Sequence, residues 1–448
     1  MRINFLFDEF KDDGSPWWNV SDISLSKLDK YDLLPEYFFW WSSPIKEVLT
    51  YNNTLGKCKN EINFVQTTTH QLNNKDLNIY PLFISDKTFS SPNAVLWIPK
   101  YVCEKVNEGS VYLMISNYFE TDFINHSVFI DRLMIYLDVV KIKNYKNVKI
   151  VGNDFISQKI FNNKDYNPKK IEYILSYTFE KFYVKRLQDL NPNFDIENHI
   201  NEKNKNHTFL MQIGSPRHFR YFTYKVFEYG NILENALYSY MPFNRGKLTD
   251  NINVDSLDRY EKGSFYGDDI NIQTQLNNPN YLDFYNWVKL NDKIESRSLP
   301  DCQLDNSNIY DTSPYTNIEW LKNTYFSVIM ETQVSNLNSF ITEKTFKMIF
   351  CGHPFILIAS PGALSELHKL GYETYPELFD ESYDTMPQSF EKMFFIMNQI
   401  KKWTLPENKE ELERIIHSIK PKLIKNRELY LNKDHSLFWN KFKTNSLI

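Results

Sequence analysis

The sequence predicts an α/β protein of two Rossmann-like, doubly wound lobes that face each other across a cleft. Its length of 448 residues is too great for one ordinary core and fits two or three domains. Strand-like apolar runs alternate with longer helical stretches, a pattern typical of βαβ units around a mostly parallel sheet. A polar stretch at 188–206 divides the chain into two such series, which predicts an interdomain linker at about 191–206.

The first series, residues 1–190, alternates strands with helices. The strand-like segments are INFLFDEF (3–10), LNIYPLFIS (77–85), VYLMISNYFET (111–121), VKIVGND (148–154) and IEYILSYTFE (171–180). Between them, residues 94–109 are helical and end at Gly109, a residue type favoured just beyond a helix C-terminus. Another helix is predicted over about 125–139. This series predicts one doubly wound lobe.

The second series, residues 207–386, repeats the alternation. Its strand-like segments are HTFLMQIG (207–214), NALYSYMPF (235–243), YFSVIMETQ (325–333) and HPFILIAS (353–360). Its predicted helices lie at 216–230, at 342–352 and from Pro361 to Gly371. Residues of about 244–310 are rich in Asn, Asp and Gln and have weak periodicity, which indicates a long insertion. From 387 to 448 the pattern is helical.

The composition favours a soluble globular protein. Hydrophobic residues make up 42% of the chain and charged residues 24%, which excludes global disorder. The net charge of −5 is unlike that of a strongly cationic nucleic-acid binder, although a local basic face stays open. The four cysteines form no Cys-x-x-Cys pair, so we expect neither a disulfide scaffold nor a structural zinc site, and a reducing compartment fits.

The N-terminal residues and the apolar runs predict where the protein is found. The segment MRINFLFDEFKDD becomes acidic at once, unlike a signal peptide. No run approaches the ~18 uncharged apolar residues of a membrane span. We therefore expect a cytoplasmic protein without a membrane span, located in the host cytoplasm if the source is viral.

The ligand-binding signals lie where strands of the second series lead into helices, because ligands of open α/β sheets bind beyond the carboxyl ends of the strands. At the first junction, GSPRHFR (214–220), the residues Arg217, His218 and Arg220 fall in the opening turns of a helix. Cations there oppose the helix dipole, and a bound phosphate would reconcile them. A solvated basic turn, or an arginine paired with a carboxylate of the other lobe, is the alternative.

The second junction joins a buried strand to a capped helix. The strand ends at Glu331, which would be partly desolvated and would need a partner, either a ribose hydroxyl or the Lys344 ammonium. Thr342 fits an N-cap and Glu343 fits the positive end of the helix dipole, so ordinary capping explains both. Lys344 works against the dipole unless an anion lies near it.

A third junction, IASPGAL (358–364), has small residues that would let a ligand approach closely. We expect Ser360 to be the N-cap of the following helix and Pro361 to be its first residue. Ordinary capping also explains this pattern. The predicted donor site therefore comprises Arg217, His218, Arg220, Glu331, Thr342, Glu343, Lys344 and Ser360.

The segment ETQVSNLNSFITEKTFKMIFCGHPFILIASPGAL (331–364) resembles the donor-binding motif of the fucosyltransferase family. Glu331 matches the Glu that ends the first strand of the motif, and Thr342-Glu343-Lys344 match its Thr-Glu-Lys helix start. His353-Pro354 match the step before the second strand, and Ala359-Ser360-Pro361 stand where the family usually has Gly-Ser-Pro. The continuation GYETYPELFDESYD (371–384) resembles a segment of uncharacterised viral and phage glycosyltransferase-like proteins that share the Thr-Glu-Lys-Thr-Phe core.

The resemblance implies a GT-B fold, with the sugar nucleotide held mainly by the C-terminal lobe and the acceptor bound by the N-terminal lobe. It implies that Glu343 contacts the nucleotide ribose, that Lys344 contacts the diphosphate and that an upstream arginine contacts the phosphates. Where the family usually has Glu-Asn-Ser, residues 331–333 are Glu-Thr-Gln, so the donor sugar stays open. The nucleotide sugar is a co-substrate, and no cofactor is expected.

The departing nucleoside diphosphate gains charge that must be neutralised as the glycosidic bond breaks. The sequence contains no Asp-x-Asp metal-binding pair, so we expect Lys344, Arg217 and Arg220 to do this without a metal. An inverting enzyme also needs a general base, for which Glu120, Asp122 and then Asp154 are the candidates. Each of these also fits an ordinary capping or solvated acid, and a retaining enzyme needs no such base.

The leading hypothesis is a glycosyltransferase whose acceptor is either a glycan or a hydroxymethylated base in phage DNA. Two basic stretches bear on DNA, Lys141 to Lys149 and Lys420 to Arg427, although both also fit solvated faces. The alternative is a nucleotide- or carbohydrate-binding protein of the same fold without catalysis. Neither G-x-G-x-x-G after a strand nor a P-loop motif occurs, which disfavours a dinucleotide-dependent oxidoreductase and a P-loop ATPase.

Overall fold

The computed structural model divides into two compact units, Met1–Lys185 with Lys433–Ile448 (the first unit) and Arg186–Asn432 (the second unit). It describes residues 2–7, 61–66, 72–73, 75–83, 98, 100–116, 126–152, 158–159, 161–163, 165, 167–175, 194–202, 205–213, 218–240, 278–291, 294, 297, 317–331, 334 and 341–433. Each unit contains its own parallel sheet.

The first unit contains a six-stranded sheet with the order β2-β1-β3-β4-β5-β6. Its strands are β1 (Arg2–Phe7), β2 (Glu61–Gln66), β3 (Leu77–Phe83), β4 (Tyr112–Ser116), β5 (Val148–Gly152) and β6 (Glu172–Leu175). Every neighbouring pair is parallel, and Ile3 of β1 lies opposite Ile62 on one side and Leu77 on the other. This order is that of a doubly wound sheet that reverses between β1 and β3.

Two helices, α1 (Lys100–Glu108) and α2 (His126–Val139), contribute to the core of the first unit. Val106 of α1 and Leu137 of α2 are fully buried with Leu113 of β4. All five residues of β5 are buried, as expected of a strand that is covered on both faces. The apolar runs of the sequence therefore form the interior of this sheet.

The second unit contains a four-stranded sheet with the order β10-β9-β7-β8, again parallel throughout. Its strands are β7 (His207–Ile213), β8 (Ala236–Tyr240), β9 (Thr324–Met330) and β10 (Phe355–Ile358). All seven residues of β9 are buried. The rings of Phe209 on β7 and Phe326 on β9 stack with centroids 6.0 Å apart. Aromatic residues thus fill the centre of this sheet.

The described helices of the second unit follow the strands closely. They are α3 (Ile196–Asn201), α4 (His218–Tyr229), α5 (Leu282–Leu290), α6 (Ile318–Lys322), α7 (Glu343–Cys351), α8 (Ala363–Lys369), α9 (Phe390–Thr404), α10 (Lys409–Ser418) and α11 (Lys420–Asn432). Strand β7 leads into α4, β9 into α7 and β10 into α8. Each of these junctions carries residues of the predicted donor site.

The mixed α/β class and the two parallel sheets confirm the coarse prediction. Strand β2 was not predicted, and α3 lies within the stretch suggested as a linker, where the Asp195 carboxylate caps it through the Glu197 and Asn198 N–H groups. Helix α5 lies within the suggested insertion. Among the described helices, none is both long and apolar enough to cross a membrane.

Candidate functional site

The candidate site lies at the carboxyl ends of β7 and β9, where the strand order of the second sheet reverses. Chain order runs β7, β8, β9, β10, but β7 lies between β8 and β9 in the sheet. Ligands of open α/β sheets bind in the crevice that such a switch point creates. Helices α4 and α7 begin at this end of the sheet and carry Arg220 and Thr342-Glu343-Lys344 at their starts.

Glu331 follows the last residue of β9 and is completely buried. Its N–H donates to the Ile358 carbonyl at 3.0 Å, which extends the pairing with β10. Its Oε1 accepts from the Thr342 N–H at 3.1 Å and from the Thr345 hydroxyl at 2.6 Å. Its Oε2 accepts from the Thr342 hydroxyl. The partners of this carboxylate are therefore two threonines of the same unit, rather than the Lys344 ammonium that the sequence suggested as one alternative.

Thr342 is the N-cap of α7, as predicted. Its backbone is extended (φ −105°, ψ −175°), and its Oγ1 accepts from the Lys344 N–H at 3.4 Å. The same oxygen accepts from the Lys344 Nζ at 3.3 Å while its proton goes to Glu331. The Thr342 hydroxyl thus uses its donor and both of its acceptor positions. It links the end of β9 to the start of α7 and to the Lys344 ammonium.

Three charged side chains surround the first turn of α7. The Lys344 ammonium lies 3.0 Å from the Glu343 carboxylate, and the Lys344 side chain remains 30% exposed. Lys347 follows one turn later, at the i,i+4 spacing from Glu343 that places two side chains on one helix face. Burial raises the pKa of Glu343, but the charges of Lys344 and Lys347 outweigh it and hold this pKa below its ordinary value. With the buried Glu331 carboxylate, two positive and two negative side chains lie at this helix start.

Arg220 approaches the same strand end from α4. Only 5% of the residue is exposed, and its Nη2 donates to the Glu331 carbonyl at 3.0 Å and to the Met330 carbonyl at 3.4 Å. The guanidinium is therefore held by backbone carbonyls of its own unit. Arg220 contacts the Glu331 backbone directly, whereas Lys344 is linked to the Glu331 carboxylate through the Thr342 hydroxyl.

The third junction differs from the prediction, since α8 begins at Ala363 and not at Pro361. Its N-cap position is Gly362, in the left-handed conformation (φ 89°), so Ser360 is not the cap and is fully buried. The Asp384 carboxylate accepts the Leu364 and Ser365 N–H groups at 3.1 and 3.3 Å instead. The Asp384 carboxylate thus occupies the N-terminus of α8, where the sequence predicted capping by Ser360 or the approach of a ligand.

Several predicted residues fall beyond what the structure describes. Glu120, Asp122, Asp154 and Arg217 lie outside the described residues, so their roles stay predictions. His218 is the first residue of α4, and only its backbone is described. The described cluster therefore comprises Arg220, Glu331, Thr342, Glu343 and Lys344, with Ser360 beyond the neighbouring strand end. Sequence reasoning missed Thr345, Lys347 and Asp384, of which only Lys347 had a local signal, its spacing from Glu343.

The later basic stretch, on α11, is engaged within the second unit. Lys422 lies 2.8 Å from the Glu377 carboxylate, and Lys425 pairs with Glu373. Lys420 pairs with Glu197 of α3, and the Arg427 Nη1 donates to the Phe350 carbonyl. In the earlier stretch, Lys149 is buried in β5 and lies 2.5 Å from the Glu172 carboxylate. These contacts favour a structural role for the α11 stretch over a nucleic-acid face, whereas Lys141, Lys143 and Lys146 of the earlier stretch are exposed.

In the part of the chain that the structure describes, no group of three or more His, Cys, Asp or Glu side chains is arranged to hold a metal ion. No protein-family model matches the chain, and the comparison with curated proteins likewise finds no match.

Proposed function

We propose that the protein is a metal-independent glycosyltransferase of GT-B architecture, which moves a sugar from a nucleotide-sugar donor to an acceptor hydroxyl. The donor would bind at the carboxyl end of the second sheet. The observation that carries the proposal is the position of Lys344, a partly exposed ammonium in the first turn of α7 at the switch point of the sheet. A cation there opposes the helix dipole, and a bound diphosphate would use both the ammonium and the helix N–H groups.

The surrounding contacts support this role because they fix the ammonium before any ligand arrives. Lys344 is held by Glu343 at 3.0 Å and by the Thr342 hydroxyl at 3.3 Å. Thr342 is in turn held by the fully buried Glu331. A charge that is already oriented stabilises developing negative charge without reorganisation during the reaction.

In the proposed reaction, the acceptor oxygen forms a bond with the anomeric carbon of the donor sugar. The bond from that carbon to the diphosphate oxygen breaks, and its electron pair remains on the leaving diphosphate, next to Lys344. If the configuration inverts, the acceptor proton passes to a carboxylate, for which Glu120, Asp122 and Asp154 remain the candidates. The nucleoside diphosphate then leaves with the extra negative charge.

The acceptor is a glycan or a hydroxymethylated base in phage DNA. The ion pairs on α11 favour the glycan, because Lys420, Lys422 and Lys425 each have an acidic partner in the second unit. A DNA acceptor would instead require a surface of cations available to phosphates, with binding that weakens steeply as salt rises. The alternative function is nucleotide or carbohydrate binding without transfer.

A thermal-shift panel of UDP-, GDP-, CMP- and ADP-sugars tests the proposal. A donor at about 100 times its Kd adds ~2.7 kcal/mol of stability. In a unit of this size, that corresponds to a rise of roughly 5–10 °C in Tm. Lys344→Ala should weaken donor binding about 10- to 100-fold, since it removes a charged hydrogen bond.

Lys369→Ala is the matched control, because Lys369 also pairs with a glutamate of the second unit, Glu366 at 2.6 Å, but at the far end of α8. It should bind the donor as the wild type does. Release of free sugar from the bound donor, retained in EDTA and lost in Lys344→Ala, would separate the transferase from a mere binding protein. Absence of a shift with every donor would contradict the proposal, as would wild-type affinity in Lys344→Ala.

A further inference from the structure

Lys392, on the first turn of α9, is a buried cation that the proposed chemistry does not use. Only 1% of the residue is exposed. Its Nζ donates to the Ala359 carbonyl at 2.9 Å and to the Met386 carbonyl at 3.4 Å. Ala359 directly follows β10 and precedes Ser360. Lys392 therefore lies at the carboxyl end of the second sheet, the same edge as the candidate site.

The neighbouring strand ends in the same way. Arg220 donates to the carbonyls of Met330 and Glu331, at the end of β9, as Lys392 does to Ala359 after β10. The two ends are joined directly, because the Glu331 N–H donates to the Ile358 carbonyl at 3.0 Å. The carbonyl groups at the ends of two adjacent strands thus each accept from a buried cation, and one backbone hydrogen bond joins the two strand ends.

Satisfying the Ala359 carbonyl does not require a charge. The Gln388 Nε2 already donates to it at 2.7 Å, and a buried ammonium is costly to desolvate. Burial lowers the pKa of Lys392 to about 8, against the opposing influence of Asp384. Asp384 is the charged group that faces Lys392 among the described residues, and its carboxylate also accepts the Leu364 and Ser365 N–H groups. Because desolvation of the Lys392 ammonium is unfavourable, we infer that its positive charge has a function.

We propose that Lys392 is a positioning residue of the donor site, whose buried ammonium fixes the turn after β10 and adds positive potential behind the leaving diphosphate. This inference rests on the proposed function. Its role differs from that of Lys344, because Lys392 is too deeply buried to touch a ligand and acts through the Ala359 backbone and through its field.

The proposed role of Lys392 predicts how donor affinity changes with pH. Below about pH 8 the side chain is charged, and above it the charge is lost. Donor affinity should therefore fall as the pH rises from about 7 to about 9. Stability moves the opposite way, because the folded pKa lies below the unfolded value of 10.5. Between these two values the unfolded state holds more protons, so this group makes the fold more stable as the pH rises. Unfolding at Lys392 cannot then account for a loss of donor affinity.

Lys205 offers a matched control at the opposite edge of the same sheet. It is 7% exposed, and its Nζ donates to two backbone carbonyls, those of Lys322 at 2.9 Å and Leu321 at 3.4 Å. Burial also lowers its pKa to about 8. These carbonyls precede β9, at its amino end. Lys205 is therefore buried like Lys392, donates to backbone carbonyls and has a similar pKa, but it lies at the other end of the sheet.

The experiment titrates UDP-glucose, GDP-fucose and ADP-glucose into the full-length protein by calorimetry, at about pH 7 and about pH 9. For the probe that binds, the wild type should lose about tenfold in affinity over this range, equivalent to 1.4 kcal/mol. Lys392→Met should bind weakly at both pH values, whereas Lys392→Arg keeps its charge and should bind tightly at both. Lys205→Met should follow the wild type.

Three results would overturn the inference. Lys392→Met could retain the affinity and pH dependence of the wild type, or Lys205→Met could lose them equally, which would indicate a general effect of buried lysines. In either case the proposed function stands. If neither these probes nor the CMP-sugars of the thermal-shift panel bind the folded wild type, the donor site itself is wrong, and both proposals fail. Circular dichroism of each variant at both pH values establishes that the compared proteins are folded.

Discussion

Replacing Glu331 by Gln tests the network that holds the candidate site together. The carboxylate accepts three hydrogen bonds, two at Oε1 from Thr342 and Thr345 and one at Oε2 from the Thr342 hydroxyl. A glutamine can keep its carbonyl oxygen at the Oε1 position, but then it presents an NH₂ group to the Thr342 hydroxyl. That hydroxyl already accepts from the Lys344 N–H and Nζ, so it has no further place for a donor.

The expected cost follows from this count. Glu331→Gln loses one charged hydrogen bond and weakens two, and a hydrogen bond to a charged group contributes about 1.5–3 kcal/mol. We expect a destabilisation of about 2 kcal/mol, or roughly 4–8 °C in the Tm of the second unit. Thr345→Val removes a single bond to the same carboxylate and should cost about as much. Because the two changes share one acceptor, the double variant should cost less than their sum, by roughly 0.5–1 kcal/mol.

Urea and thermal unfolding followed by circular dichroism measure these differences. Glu319→Gln is the control, since that glutamate is 67% exposed and its partner among the described residues is Lys322 on the surface of α6, an interaction of about 0.3–0.5 kcal/mol. The donor-binding panel on the same proteins should show weaker binding in Glu331→Gln, because Thr342 no longer orients Lys344. A Glu331→Gln protein as stable as Glu319→Gln, or a strictly additive double variant, would refute the reasoning.

Two further predictions concern the buried junction of α3 with the end of α7. Burial lowers the pKa of His199 to about 3 and that of His353 well below its ordinary value, so their stability contribution is complete above about pH 6.5 and is lost as the pH falls toward 3. The free energy of unfolding, measured with urea at pH 7 and pH 5, should therefore fall by up to about 3 kcal/mol per pH unit below pH 6.5, and by about half of that in His353→Gln. An equal fall in the two proteins would contradict the assignment. Gly352→Ala should cost about 1–3 kcal/mol, because φ is +57° and the added Cβ would lie 2.3 Å from Ile196 Cδ1. Gly109→Ala, at φ +88° with nothing nearer than 3.8 Å, should cost less, and equal losses would show that the contact is irrelevant.

The parts of the fold that the sequence predicted are those set by local pattern. The segment YFSVIMETQ (325–333) predicts a strand, and the structure has β9 at Thr324–Met330 with all seven residues buried. Thr342 was assigned as a cap because an N-cap needs only the next few residues, and the structure confirms it. A strand pattern and an N-cap can both be predicted from neighbouring residues, without knowledge of the tertiary fold.

The parts that were missed depend on residues far apart in the chain. Asp384 displaces the expected cap of α8 from 20 positions away, and Lys392 reaches the Ala359 carbonyl across 33 positions. No periodicity or spacing signals such partners. The bonds from Thr342 and Thr345 to Glu331 were also hidden, because they form only when the strand end and the helix start, 11 to 14 positions apart, are brought together.

The ion pair between Lys420 and Glu197 has a topological consequence. Among the described helices of the second unit, it joins the last, α11, to the first, α3, and the Lys420 Nζ also donates to Asn201 at 3.3 Å. Asn201 and Lys420 lie 219 positions apart in the chain, so this contact closes almost the whole of the second unit. Contacts that close so long a stretch of chain form slowly, so we expect the start of α11 to join α3 late in the folding of this unit.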